Sequence, residues 1–153
     1  MRFGIFDHVE RRDDVGTAQQ FQERLKLVEQ ADAAGFYCYH VAEHHHSPLC
    51  LAPNQAVYLA AVAQRTRRLR FSSLVYVLPL HNPIRLIEEI CLLDQLSEGR
   101  YEVGVGRGTD RAQEWRMWGG QHERHQEFLE WAGDFDPQVF DLDALNAGLR
   151  KVR

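Results

Sequence analysis

A chain of 153 residues suits one domain with a real core, and 44% apolar with 26% charged residues is an ordinary globular composition. A net charge of −4 offers no electrostatic footprint for nucleic acid. No apolar run approaches the ~20 residues of a membrane helix, so neither a nucleic-acid nor a membrane partner is expected.

Arg2 to Phe6 reads as a short apolar strand. Thr17 and Gln20 have the spacing of a capping box and open a helix with Phe21, Leu25, Val28 and Ala31 on one face. Gly35 ends it as a C′ residue. Phe36 to Val41 is the second strand and empties into Ala42-Glu43-His44-His45-His46. Pro53-Asn54 begins an alanine-rich helix to about Arg65, with Val57, Ala60 and Ala61 on one side. Arg65, Arg67, Arg68 and Arg70 cluster at its end, where cations suit the helix dipole, and read as a solvated terminus.

Leu69 to Leu78 is the third strand, nearly continuous in apolar and β-branched residues, as expected when both faces are buried. Asn82 then supplies an N-cap and Pro83 the first helical residue. Ile84, Ile87 and Cys91 form one stripe of this helix, Ile90 broadens it, and Ser97-Glu98-Gly99 stops it. Tyr101 to Val105 is the fourth strand, running into Gly104-Val105-Gly106-Arg107-Gly108. Asp94 and Arg100 are expected to pair and pin the third helix to that strand. Beyond Gly133 no fifth strand is expected, and Asp136-Pro137 is expected to open a short helix carrying Leu142, Leu145, Leu149 and Val152.

Strand–helix repeats of this length make right-handed βαβ units and a parallel sheet, satisfied equally by a doubly wound sheet or a (β/α) barrel. A full eight-unit barrel takes ~250 residues; four units look like half of one. Cys38, Cys50 and Cys91 lack metal-type spacing. Cys38 and Cys91 fall in apolar segments as small hydrophobes. Their odd number and the lack of an apolar leader point to the cytoplasm.

Polar groups gather where strands end: Asp7-His8, Glu43-His44, His81-Asn82 and the glycine-rich turn. In a barrel that edge is the active-site face. Three consecutive histidines point in alternating directions, so not all of His44, His45 and His46 can share one pocket. One of them can serve as a general base near neutral pH. A metal site would recruit His40, His44 or His46 with Glu43, although contiguous histidines lack defined ligand spacing. A solvated cluster is the third reading. The glycine turn carries Thr109 where a dinucleotide fingerprint needs glycine, and it follows the fourth strand rather than the first. It still lets backbone approach a ligand while Arg107 meets an anion.

These motifs in this order resemble a known family: Ala42-Glu43-His44-His45, Leu78-Pro79, Pro83-Ile84-Arg85, Leu93-Asp94-Gln95-Leu96-Ser97-Glu98-Gly99-Arg100 and Gly104-Val105-Gly106-Arg107-Gly108. Together they look like the N-terminal half of the bacterial luciferase-like, flavin-dependent monooxygenases, continuously from Arg2 to about Thr109. The resemblance implies an α/β fold, a partial (β/α)8 TIM-type barrel of about four βα units over residues 1–133. The atypical helical tail over 134–153 does not resemble the family's continuation and suggests a truncated or frame-altered product. Reduced FMN is the implied cofactor, with a deazaflavin in some branches. O2, a small organic substrate and a flavin reductase or other electron donor are the implied partners. His44 resembles the histidine that handles protons beside the oxygenated flavin, and Leu74-Val75 occupies the place of a cis peptide against the flavin ring. Phe6 would line the same pocket, with Gly106 and Arg107 near the phosphate. His46 stands where an aromatic is frequent. Family members also dimerise through the second and third helices, here bearing Ala60, Ala61, Ile84, Ile87 and Cys91. The rival readings are a deazaflavin-dependent reductase of the same fold and a non-catalytic half-barrel that pairs with another chain. Lacking strands five to eight, the chain alone is expected to bind FMN weakly.

Overall fold

A computed structural model describes residues 1–45 and 47–108. His46, Thr109 and the expected 134–153 tail lie outside the described residues. The elements alternate as β1 (Gly4–Asp7), α1 (Thr17–Ala34), β2 (Cys38–Val41), α2 (Gln55–Arg65), β3 (Arg70–Val77), a 3-10 turn (Leu78–Leu80), α3 (Pro83–Leu96) and β4 (Tyr101–Gly106). The strands are all parallel and lie in the order β1-β2-β3-β4. A doubly wound sheet reverses its strand order at a switch point. Consecutive order is the arrangement of a barrel wall.

Register sorts the side chains into two faces. Ile5, Tyr39, Phe71 and Tyr101 stand abreast, as do Asp7, Val41, Ser73 and Val103. This is the helix side: the Tyr39 and Tyr58 hydroxyls lie 3.1 Å apart across the β2–α2 contact. Tyr39, Phe71, Leu59, Val62 and Leu69 fill its core. On the other face Phe6, His40, Ser72 and Glu102 stand abreast. This face is the wall of the barrel interior, and Phe6 is 52% exposed on it.

Several expected contacts are replaced. Gly16 occupies the N-cap of α1 with no side-chain cap, so the Thr17–Gln20 box does not form. Gln20 is buried instead; its side chain accepts from the Arg12 N–H at 3.0 Å and donates to the Glu10 carbonyl. Buried loop backbone needs those bonds more than an exposed helix start does. In α3 the stripe facing the sheet is Leu86, Ile90 and Leu93, while Ile84 and Ile87 are 70% and 60% exposed. In α2 it is Tyr58, Leu59, Val62 and Ala63, and Val57 is 70% exposed. Both helices carry apolar residues on two sides, and the sheet selects one.

The Asp94–Arg100 pair is also absent. Arg100 donates to Thr66 Oγ1 at 2.8 Å and to the Leu69 and Ala63 carbonyls at 3.0 and 2.9 Å. The end of α2 leaves carbonyls without partners, and a planar guanidinium fork can serve several at once. The basic run is tied down too. The Asp32 carboxylate accepts the N–H groups of Arg67, Arg68 and Leu69 at 2.7–2.9 Å. Arg65 pairs with Glu29 at 2.8 Å, and Arg70 pairs with Glu102. Burial alone would raise the Asp32 pKa; the three N–H groups hold it below its ordinary value. The cysteines are free, with Cys38 and Cys50 buried and Cys91 half-buried.

Candidate active site at the strand ends

The site begins with how each strand stops. After β1 the chain turns through Val9, which has φ 52° and is fully buried. That region is unfavourable for a β-branched residue. Asp7 holds it there: Oδ1 accepts the Val9 N–H at 2.8 Å and Oδ2 accepts the Tyr39 hydroxyl at 2.8 Å. Between these two anchored residues stands His8.

After β2 the histidine run divides as its alternation requires. His45 turns to Glu43, donating from Nε2 at 2.8 Å. His44 turns the other way and stacks on His8, with ring centroids 5.2 Å apart and planes within 9°. Phe6 meets His8 edge-on at 4.8 Å. Burial foremost, then the neighbouring His8 and His45, lowers the His44 pKa below its ordinary value, against the opposing pull of Glu43.

Glu43 is the hub that the sequence reading missed. Its side chain is fully buried and accepts from His45, from His81 Nε2 at 2.9 Å and from the Val77 N–H at 2.8 Å. Burial raises the pKa of a lone carboxyl; here these donors outweigh it and hold Glu43 at about 2. The signal available in the sequence was an acidic residue following a buried strand, which obliges some donor to meet it. Glu43 thus ties the end of β2 to the end of β3.

On β3 the Leu74–Val75 peptide is cis, as the resemblance implies, and it coincides with a register shift between Ser73 and Tyr76. Leu74 is 44% exposed. Facing this segment, β4 carries glycine where a side chain would not fit. A Cβ at Gly104 would run into the Ser73 carbonyl, and one at Gly106 would lie 2.7 Å from Val75 Cγ2. Arg107 is exposed and bonds to no described residue. The structure therefore brings Phe6, His8 and His44 together, and Leu74-Val75 against Gly104 and Gly106, while Arg107 stands apart at the rim.

A separate open cavity of about 300 Å³ lies on the helix side, lined by His45, Gln55, Tyr76, His81 and Glu89 among others. Neither His44, Phe6 nor Leu74 borders it. The amide of Gln55 is buried there without a partner among the described residues. Among those residues no group of three or more His, Cys, Asp or Glu is disposed to hold a metal ion.

A family model described as luciferase-like monooxygenase matches residues 1–133. The chain belongs to the luciferase-like monooxygenase family. Within it, the uncharacterized protein y4wF of Sinorhizobium fredii is 51% identical over 109 residues, covering 71% of this chain and 32% of its own. The oxygenase component of the flavin-dependent trigonelline monooxygenase of Acinetobacter baylyi is 31% identical over 147 residues, covering 89% and 41%. Among solved structures, the oxygenating constituent of 3,6-diketocamphane monooxygenase from Pseudomonas putida, in complex with FMN, superposes with a TM-score of 0.72 at 26% identity. That superposition covers 85% of this chain and 37% of the other. The chain thus spans about a third to two fifths of the length of these relatives. Its sheet is part of a luciferase-like (β/α)8 barrel.

Proposed function

We propose that this chain is the N-terminal part of the barrel of a flavin-dependent monooxygenase, the matched domain spanning residues 1–133. The observation that carries this is the shape of the strand-end wall. Exposed Phe6 and Leu74 offer apolar surface on the interior face, and β4 is pared to glycine at 104 and 106. Those glycines seat the Leu74–Val75 segment closely against β4, and a planar aromatic ring can lie on the apolar surface so formed. These residues fit a flavin.

Phe6, Leu74 and Val75 would pack against the ring of FMN, with Gly106 beside them seating Val75 against β4. Arg107, bonded to no described residue, is available for the phosphate. When bound, reduced FMN would supply two electrons, so that with two protons one oxygen atom of O2 enters a small organic substrate and the other leaves as water. His44, its pKa lowered, is neutral near pH 7 and offers a ring nitrogen that can take and return a proton. Glu43 holds His45 and His81 away from that task through its hydrogen bonds. An Acinetobacter relative is described as an oxygenase component, which supports reduced flavin arriving from a separate reductase. Three free cysteines suit a reducing cytoplasm; no helix among the described residues is long and apolar enough to cross a membrane.

The test is reconstitution of the chain, alone and with a second copy or the remaining barrel units, with FMN. The flavin spectrum and O2 uptake on reduction are recorded. A perturbed flavin spectrum with O2 uptake is expected from the completed barrel. Retention of a deazaflavin in place of FMN would move the assignment to a hydride-transferring reductase. Failure to bind either would leave a non-catalytic half-barrel.

A further inference from the structure

We propose that His8 is a second imidazole of the site: stacked on His44, it bars a second positive charge from the pair and leaves its own Nε2–H open as a donor to a ligand oxygen. The role toward a ligand rests on the flavin reading above, whereas the pairing of the rings does not.

Three observations carry it. The first is the stack itself, with centroids 5.2 Å apart and planes 9° from parallel, braced by the edge of Phe6. The second is that both rings lack the anchor most histidines have. Neither His8 nor His44 makes a side-chain hydrogen bond to a described residue. The nearby carboxylates are already committed, Asp7 to Val9 and Tyr39, and Glu43 to His45, His81 and Val77. The third is the state of the His8 ring, whose Nδ1 is buried with no partner among the described residues. A proton at Nδ1 would be a buried donor without an acceptor, so the neutral ring carries its proton on Nε2.

Among the described residues, the charged and titratable groups about the pair are few. His44 has Glu43 and His45 on its own loop, His8 from the end of β1 and the Cys50 thiol close by. Next to His8 in the chain, Asp7 lies 3.7 Å from Arg24 of α1. None of these bonds to either ring. Two imidazolium rings at this separation repel, so protonation of one ring opposes protonation of the other. The arrangement yields one ring as proton acceptor and one as hydrogen-bond donor, side by side at the mouth of the interior wall. An acceptor oxygen such as a ring carbonyl is the ligand group it suits.

The test begins without flavin. Long-range 1H–15N spectra of the imidazoles are followed against pH in the wild-type chain and in His8→Phe, which keeps a stacked ring and removes its charge. The wild type should show His8 as the Nε2–H tautomer. In His8→Phe, the His44 titration should move upward, because a neighbouring ring that lowers it is gone. An Nδ1–H tautomer for His8, measured in the wild type alone, would overturn the proposal even if the variant failed to fold. So would an unchanged His44 titration in a folded variant. An FMN titration of the completed barrel separates the two readings. Coupled rings without FMN binding would remove the flavin role and leave the pair; FMN binding with uncoupled rings would do the reverse.

Discussion

Glu43 concentrates more interactions than any other side chain at the strand ends. It is an acceptor for two imidazoles and one backbone N–H, with no solvent contact. Its replacement by Gln removes one acceptor oxygen and the charge, so Glu43→Gln should lower unfolding free energy by about 2–3 kcal/mol. The pH dependence has a definite sign. Glu43 sits at about 2 in the folded chain against an ordinary 4.5, so between those values the unfolded chain binds more protons. Its contribution is complete above the unfolded value and is lost as pH falls through about 2. Chemical denaturation across that acid window should show a shallower pH dependence in Glu43→Gln than in the wild type. For His44 the expectation is kinetic. In the completed barrel, His44→Ala should cut turnover by ~10²–10⁴ while FMN affinity changes little. Undiminished turnover in that variant would make His44 a packing residue.

Caps and anchors decide which helices are set firmly. Asn82 accepts the N–H groups of Ile84 and Arg85 at 3.1 and 3.3 Å, so Asn82→Ala should cost about 1 kcal/mol. Circular dichroism on thermal unfolding would measure it. The start of α3 was plain in the sequence because Asn-Pro has a single mechanical meaning at a helix entrance. So was the repeat of strand and helix, since parallel strands buried on one face by helices must be apolar. The inward stripes were not legible. In α3 both Ile84-Ile87 and Leu86-Ile90-Leu93 fit a helical period, and only the sheet decides between them. Arg100 misled for a related reason. Asp94 was its evident partner by charge, yet the unpaired carbonyls at the end of α2 were invisible before the chain folded. At the site, the strand ends and His44 could be read from residue type. The hub role of Glu43 could not, because two of its three donors, His81 and Val77, lie more than thirty residues away in sequence.

The described sheet has two edge strands, β1 and β4, and an interior wall with Phe6 and Leu74 open. Its outer helices also show Val57, Ile84 and Ile87 to solvent. Apolar surface of this extent is normally covered. We expect the chain to associate with a second copy through α2 and α3, and Ile87→Glu to shift it toward monomer without loss of thermal stability. Light scattering over a wide concentration range checks this; a wild type that stays monomeric throughout contradicts it. By itself the chain should bind FMN weakly, since one exposed Arg107 is a poor phosphate site, and submicromolar binding by a lone monomer would refute that. The strand order has a further consequence, for synthesis. Each strand pairs with the one made just before it, so every pairing closes over a single intervening helix and none waits for distant chain. Such neighbour-to-neighbour closure has a low entropic cost. A nascent chain emerging from a ribosome can therefore lay down this wall strand by strand, from β1 to β4, each strand docking on the one just completed.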